Sequence, residues 1–519
     1  MLSSVIIGAG PAGVSAAWAL VDRGLPVTML DAGTAEPTFP APGDYLALRH
    51  ADTEQWRWQL GSGFETFDAP MQASPKLRVP GFHGIFADYA SVNRLHADPG
   101  FHLVGALAAG GLSNAWGCGV SRFDDDELGP LASDAMQQAY ARVALRTGLS
   151  GASDDALQTY FGLDAWARPP LPLDALHQRL WQHRARIPKD LLRLGRARVA
   201  VLNEERDGRQ ACDLSGTCLW GCERRATWSA ALEVAALRRL PGVRYESGVR
   251  VEGLRKAESG EGWIVDATTV AGEPRTLRAR RILLAAGTLA STRLALAALP
   301  APPPHVRLLS NPMAAFLLVL PAMLGHPRER AFGLAQLSFV LDQLHEDEAA
   351  MGNLFSTAGL PVSEFLAHLP ITRNAGLPLM RALLPATVVG NVFLPGNLSA
   401  HRVSLESDGS LSIHGGHDAL AAAALTRARQ RITTTFRRLG AWMLPGSFVA
   451  GAAGADLHYA GTLPIRAHPE PHECHDSGEI AGLQGVYAID GASLPMLPAK
   501  AHTLTIMANA ERIAGALAP

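Results

Sequence analysis

Cysteine is scarce in this chain: five in 519 residues, an odd number that argues against a disulfide framework. An excess of charge of one sign is also missing, since 46 Lys and Arg face 48 Asp and Glu for a formal net charge of −2. That balance gives no electrostatic reason to expect nucleic acid or an anionic membrane as partner. No apolar run is long enough to cross a bilayer. The most apolar one, Met313 to Leu324, is interrupted by Pro321 and reads as a core or pocket-lining segment, or else as an apolar lip. Repeats and low-complexity tracts are absent too, which excludes solenoids and disordered tails. Met1 is followed almost at once by the apolar Val5-Ile6-Ile7, without a basic region or cleavage site, so a cytoplasmic protein with no transmembrane segment is expected.

What is present is an ordinary globular composition, 48% hydrophobic and 18% charged, in a chain too long for one core. Two intimately joined domains are expected. Residues 5–31 read VIIGAGPAGVSAAWALVDRGLPVTMLD: an apolar strand, a glycine turn, an Ala-rich helix to about Arg23, and a second strand ending in Asp31. The turn Gly8-Ala9-Gly10-Pro11-Ala12-Gly13 has the GxGxxG spacing. Its first glycine permits the tight turn, its second lets backbone approach a pyrophosphate, and its third lets helix and strand pack closely. The helix N-terminus adds unpaired N–H groups and the positive end of a dipole. Asp31, 23 positions after Gly8, can accept hydrogen bonds from a ribose.

Later segments favour FAD over NAD. Val243–Leu254 and Trp263–Thr269 read as β-strands inserted before the chain returns to a parallel sheet in RILLAAG, where Ala285-Ala286-Gly287 meets a helix. The stretch GVYAIDGASLP brings a second glycine turn, Asp490-Gly491, before a helix starting near Thr503, suited to the other side of the pyrophosphate.

Five blocks, GAGPAG (8–13), GGLSNAWGCG (110–119), LAAGTLAST (284–292), HYAGTL (458–463) and DGASLP…HTLTIMANA (490–510), together resemble the glucose–methanol–choline oxidoreductase family. The resemblance implies an α/β fold, with a Rossmann-like FAD-binding domain interleaved with a substrate domain built on an antiparallel sheet. On this reading residues 1–33, 100–150, 195–300 and 446–519 form the FAD-binding domain, 34–99 a flavin-covering segment, and 151–194 with 301–445 the substrate domain. Segments 332–341, 387–395, 402–405 and 410–413 read as strands of that sheet. Gly110, Gly111, Ser113 and Asn114 match the loop that lies along the flavin ring, and Val251 the position whose backbone holds the adenine. Where some family members place a histidine bonded to FAD, this chain has Asn114-Ala115-Trp116, which implies non-covalent FAD.

The family oxidises an alcohol or sugar hydroxyl by hydride transfer to flavin N5, and a base must take the hydroxyl proton. Histidine suits that task because its unperturbed pKa lies near neutrality. His458, in HYAGTL, matches the family's catalytic histidine. In Lys500-Ala501-His502-Thr503-Leu504-Thr505, Ala501 falls in register with the second active-site residue and His502 one position later, so His502 is either a catalytic partner or a packing residue. Asn509 reads as structural.

Residues 212–222 read CDLSGTCLWGC. Close thiolates are metal ligands more often than disulfide partners in an intracellular protein. Cys212, Cys218 and Cys222 resemble the three-cysteine loop of FAD-dependent glucose dehydrogenases, which implies a 3Fe-4S cluster and an electron-acceptor protein. Cys118, or Cys474 beside His472 and His475, would supply a fourth ligand. Glu223 stands where such loops commonly have proline, and free structural cysteines are the other reading. A dehydrogenase is expected with the cluster and an oxidase without it. Two further readings keep the flavin: isomerase, lyase or decarboxylase chemistry, and an electron-transfer flavoprotein with no substrate of its own.

Overall fold

The computed structural model describes residues 2–518 except 38–42, 68–73, 189, 259, 346–347, 361, 363–364, 366–370 and 417–418. The elements that position the site are, in chain order, β1 (Leu2–Ile7), α1 (Pro11–Val21), β2 (Val27–Asp31), α2 (Asp134–Thr147), β3 (Arg193–Arg196), β4 (Val243–Ser247), β5 (Val249–Lys256), β6 (Trp263–Thr269), β7 (Pro274–Leu284), α3 (Thr288–Ala298), β8 (Met313–Val319), β9 (Ala335–His345), β10 (Glu348–Ser356), β11 (Thr387–Phe393), α4 (Ala419–Arg438), β12 (Val486–Ala488) and α5 (Thr503–Ala516).

A seven-stranded sheet runs in the order β4-β2-β1-β7-β6-β5, with β12 beside β7. β4, β2, β1, β7 and β12 pair in parallel, whereas β6 pairs antiparallel with both β7 and β5. Val5, Ile6, Ile7 and residues 27–31 are buried, as expected of strands covered on both faces. The stretch 243–254 is two strands, not one. The chain turns at Gly248, leaving the parallel sheet for the antiparallel extension. α5 packs against α1 and α2. Buried Glu511 of α5 accepts from Arg142 at 2.6 Å and Arg146 at 2.8 Å, both on α2.

The second large sheet is antiparallel, with β8-β11-β10-β9-β3 in order and Trp442–Met443 at its other edge. Side chains alternate between its faces. Phe316, Leu318, Phe339, Leu354, Val388 and Val392 form one apolar cluster with Ala421, Ala424, Leu425, Ala428, Ile432 and Phe436 of α4. The other face turns to a cavity.

One expectation is corrected here. The hairpin 401–405/411–414 is not part of this sheet; it forms a separate four-stranded sheet with Val306–Leu308 and Leu95–Ala97, because those strands take its two edges. The apolar run from Met313 is the core and pocket-lining segment expected of it: Ala314, Phe316 and Leu318 lie in the core and Met313, Ala315 and Leu317 on the cavity. Residues 193–196, as β3, pair with β9 at the far edge of this sheet. No helix among the described residues is long and apolar enough to cross a membrane.

Candidate active site

One cavity of about 1200 Å³ runs from the end of β1 to the free face of the antiparallel sheet. A drug-sized ligand typically takes about 300–1000 Å³, so this one has room for a dinucleotide and a small molecule together. Gly8, Ala9, Gly10, Pro11, Ala12, Asp31, Gly111, Ser113, Val251, Ala286, Gly287, Asp490, Gly491 and Thr503 line it, as do His458 and His502. Gly13, Gly110 and Asn114 lie behind the wall, among the described residues that do not line the cavity.

The three glycines of the first turn differ in what surrounds them. Gly8 has φ +102°, and a Cβ there would sit 2.3 Å from the Ala285 oxygen. At Gly13 it would sit 2.1 Å from the Gly8 oxygen, so the helix lies directly on the strand end. At Gly10 it would meet no protein atom within 4 Å and project into the open cavity. α1 and α5 both begin on the cavity, at Pro11 and Thr503, presenting N–H groups and positive dipole ends to the same space. A cradle without side-chain atoms beside two helix N-termini fits the pyrophosphate of FAD.

Asp31 stands at the end of β2 and accepts from the Gly33 N–H at 2.9 Å and the Tyr245 hydroxyl at 3.3 Å. Burial pushes its pKa up to about 6 against those two donors. Asp490 has a different setting. Its Oδ2 accepts from Gly287 N–H at 3.0 Å and Ser291 at 2.6 Å, and its Oδ1 from Ala492 N–H at 3.0 Å. Its carboxylate therefore ties the two later turns together. Asn114 is similarly engaged: its Nδ2 donates to the carbonyls of Ala109 and Gly111, and its Oδ1 accepts from Ser229 at 3.0 Å. Ala115 and Trp116 line the cavity in its place.

At the far end His458 and His502 meet edge to face, ring centroids 4.8 Å apart. His458 Nδ1 lies 2.9 Å from Asn311 Oδ1. Asn311 turns its Nδ2 to the carbonyls of Leu394 at 2.7 Å and Pro498 at 3.1 Å, so its oxygen must face the imidazole. An amide oxygen only accepts, so Nδ1 carries the hydrogen and Nε2 keeps its lone pair. Asp456 fixes the same loop from behind, accepting from Ser310 Oγ and Asn311 N–H at 2.6 Å each and from His458 N–H at 3.2 Å. Burial lowers the His458 pKa to about 4, with no charged partner to offset it. His502 is held further below its usual value by burial and by His458, and its buried Nδ1 has no partner. Both rings are neutral at pH 7. Asn311 and Asp456 were not foreseen from sequence: Asn311 is 147 positions from His458, and only Asp456, two residues upstream, carried a local signal.

This arrangement sets a pH profile. A histidine with a depressed pKa is free base above that value and is lost as a proton acceptor below it. Substrate-dependent flavin reduction should therefore persist through the ordinary histidine range and be lost with a midpoint near the His458 value of about 4. The Asp456 carboxyl, pushed by burial up to about 6, should add only the smaller effect of a positioning group. Stopped-flow reduction rates across pH 3.5–8 measure it, at roughly half-unit steps; a fall centred on the ordinary histidine value of 6.5 contradicts it.

The cysteine loop does not provide the ligand set implied by the resemblance. Among the described residues, which include all five cysteines, no group of three or more His, Cys, Asp or Glu side chains is placed to hold a metal ion. The aromatic side chain of the loop packs against neighbouring elements. Trp220 is buried, stacked on Tyr45 at 5.1 Å and edge-on to Trp58 at 4.8 Å. Burial raises the thiols, Cys212 to about 11, Cys118 to about 12 and Cys218 higher still. Cys474 is buried separately, bridging Ile465 and Ile480.

No protein-family model and no curated protein matches the sequence. Among solved structures, the chain is similar to a pyridoxine 4-oxidase from Mesorbium loti, with a TM-score of 0.60 over 99% of this chain and 98% of that one at 16% identity. That likeness is one of fold. It agrees with the architecture above: a Rossmann-like, mainly parallel sheet joined to a second, antiparallel sheet.

Proposed function

We propose that this chain is an FAD-dependent oxidoreductase that oxidises a CH–OH group, with His458 as the base. The observation that carries the reading is the hydrogen bond from His458 to Asn311, which leaves a basic Nε2 on a cavity that also reaches the dinucleotide cradle. The likeness in fold to a pyridoxine 4-oxidase supports it.

FAD would be held by the 8–13 turn, Asp31, Val251, the 286–287 and 490–491 turns and the start of α5. When bound, it supplies the acceptor for the hydride that leaves the carbinol carbon. The chain's own contribution is proton handling and exclusion of water. Nε2 of His458 takes the hydroxyl proton as the carbon gives up its hydride, and the resulting charge is shared through Nδ1–H to Asn311 Oδ1. Asp456 holds the main chain on both sides of this pair. His502 presents a neutral edge to the imidazole and completes the wall.

The test is an anaerobic spectrum of the purified protein before and after adding a panel of alcohols. FAD should be released intact by acid, and at least one alcohol should bleach the oxidised flavin band without oxygen. A flavin that stays oxidised while substrate is converted would move the enzyme to isomerase or lyase chemistry. Iron assay and reoxidation by oxygen against a one-electron dye would then separate an oxidase from a dehydrogenase.

A further inference from the structure

The free face of the antiparallel sheet carries one polar row. In register across the strands lie Ala315 on β8, Asn391 on β11, Asn353 on β10 and Ser338 on β9. All four line the cavity. The row above it holds Met313, Phe393 and Met351, and the row below Leu317, Val389 and Phe355, again all on the cavity. No ionisable side chain from β8, β9, β10 or β11 lines the cavity.

The hydrogen bonds within the row leave a defined remainder. Asn391 Oδ1 accepts from the Asn353 backbone N–H at 3.0 Å and from Asn353 Nδ2 at 3.3 Å. Ser338 Oγ donates to Asn353 Oδ1 at 2.8 Å. Both amide oxygens are thus engaged, and Asn391 Nδ2 keeps its two hydrogens for the cavity. Phe393 places the row relative to the chemistry: its ring lies 5.2 Å from the His458 ring, and Asn391 is two residues along the same strand face. Two strand residues span about 7 Å.

We infer that Asn391, backed by Asn353 and Ser338, is the specificity element of the site, and that the substrate is an uncharged, mainly apolar alcohol with a hydrogen-bond acceptor about 7 Å from the carbon oxidised. The inference rests on the alcohol-oxidising reading for the position of that carbon. Apolar rows on either side bury the body of such a molecule, and the amide donors meet a carbonyl or ether oxygen between them. A sugar would leave several hydroxyls against Met, Phe, Leu and Val, and a carboxylate or phosphate would lie unpaired on the neutral sheet face, both costly. Arg198 and Lys500, which also line the cavity, are already held by Asp155, Asp164 and Glu127.

Calorimetric titration of the FAD-loaded enzyme with 6-methoxyhexan-1-ol, 1-octanol and 6-hydroxyhexanoate tests this. The ether oxygen prefers water, so wild type binding the ether as tightly as the hydrocarbon already reports a bond from the row. Asn391→Leu should move the octanol-to-ether Kd ratio toward octanol by about tenfold, the value of one hydrogen bond to a site donor. Asn391→Asp keeps the oxygen that accepts from Asn353 and removes the donor, so it should give the same shift even if the leucine variant does not hold FAD. A shift under about twofold in both variants, tightest binding of the anion, or no heat from any of the three would overturn the inference. Tight binding of the ether with no flavin reduction would refute alcohol oxidation and leave the recognition row standing.

Discussion

Replacing His458 by alanine is expected to leave FAD bound and to slow its reduction by substrate on the order of a hundredfold to ten-thousandfold, the usual contribution of a general base. The separation of these two effects follows from the geometry. His458 lines the substrate end of the cavity, whereas the glycine turns and helix N-termini that fit FAD are set by β1, α1 and α5. The alanine variant also removes the ring whose positive charge would otherwise build beside His502 and Phe393. An unchanged reduction rate in a variant with full FAD content would remove His458 from the mechanism. Asn311→Leu makes a finer distinction: it leaves the imidazole in place but unties its tautomer, so it should lower the reduction rate less than the alanine variant does.

The second large effect is at Gly10. Gly10→Ala should fold normally and lose most of its FAD, because the added methyl meets no protein atom and enters the space of the cradle. Gly10 has φ −75°, so alanine adopts its backbone without strain. Gly13→Ala contrasts with it. There the methyl collides with the Gly8 oxygen, and the expected loss is of folded protein as well as of flavin. Flavin absorbance per mole of protein, read beside thermal unfolding of the apoprotein, separates the two. A Gly10→Ala protein with undiminished flavin would contradict the placement of the pyrophosphate.

The parts of the molecule legible in sequence are those that short spacing controls. The strand–turn–helix–strand at 5–31 needs only local pattern and three glycines, and it forms as expected. Long-range pairing was harder. Residues 402–413 read correctly as a hairpin, but which sheet it joins depends on Val306–Leu308 and Leu95–Ala97 competing for its edges. β10 went unnoticed because Gly352 and Asn353 interrupt its apolar pattern, and both belong there only for cross-strand reasons. The Phe339 ring fills the space over Gly352, and Asn353 bonds to Asn391. The three-cysteine spacing suggests ligands, yet spacing alone does not set whether thiolates converge on one point, and no group of three or more ligating side chains does so among the described residues. Asn311 had no sequence signal because its meaning lies in two carbonyls and one imidazole drawn from three distant segments.

β7, the strand next to β1, is not reached until residue 274, and its other parallel neighbour, β12, until residue 486. The helix that lies on α1 comes later still, at 503–516. During synthesis β1, α1 and β2 therefore wait, with an edge of β1 unpaired until β7 and a face of α1 uncovered until α5. The residues between 31 and 503 are made in the meantime, roughly half a minute to a minute and a half at about 5–20 residues per second. A polypeptide lacking the final two turns of α5 would leave the buried face of α1 uncovered permanently, and would be a standing target for chaperones and proteases.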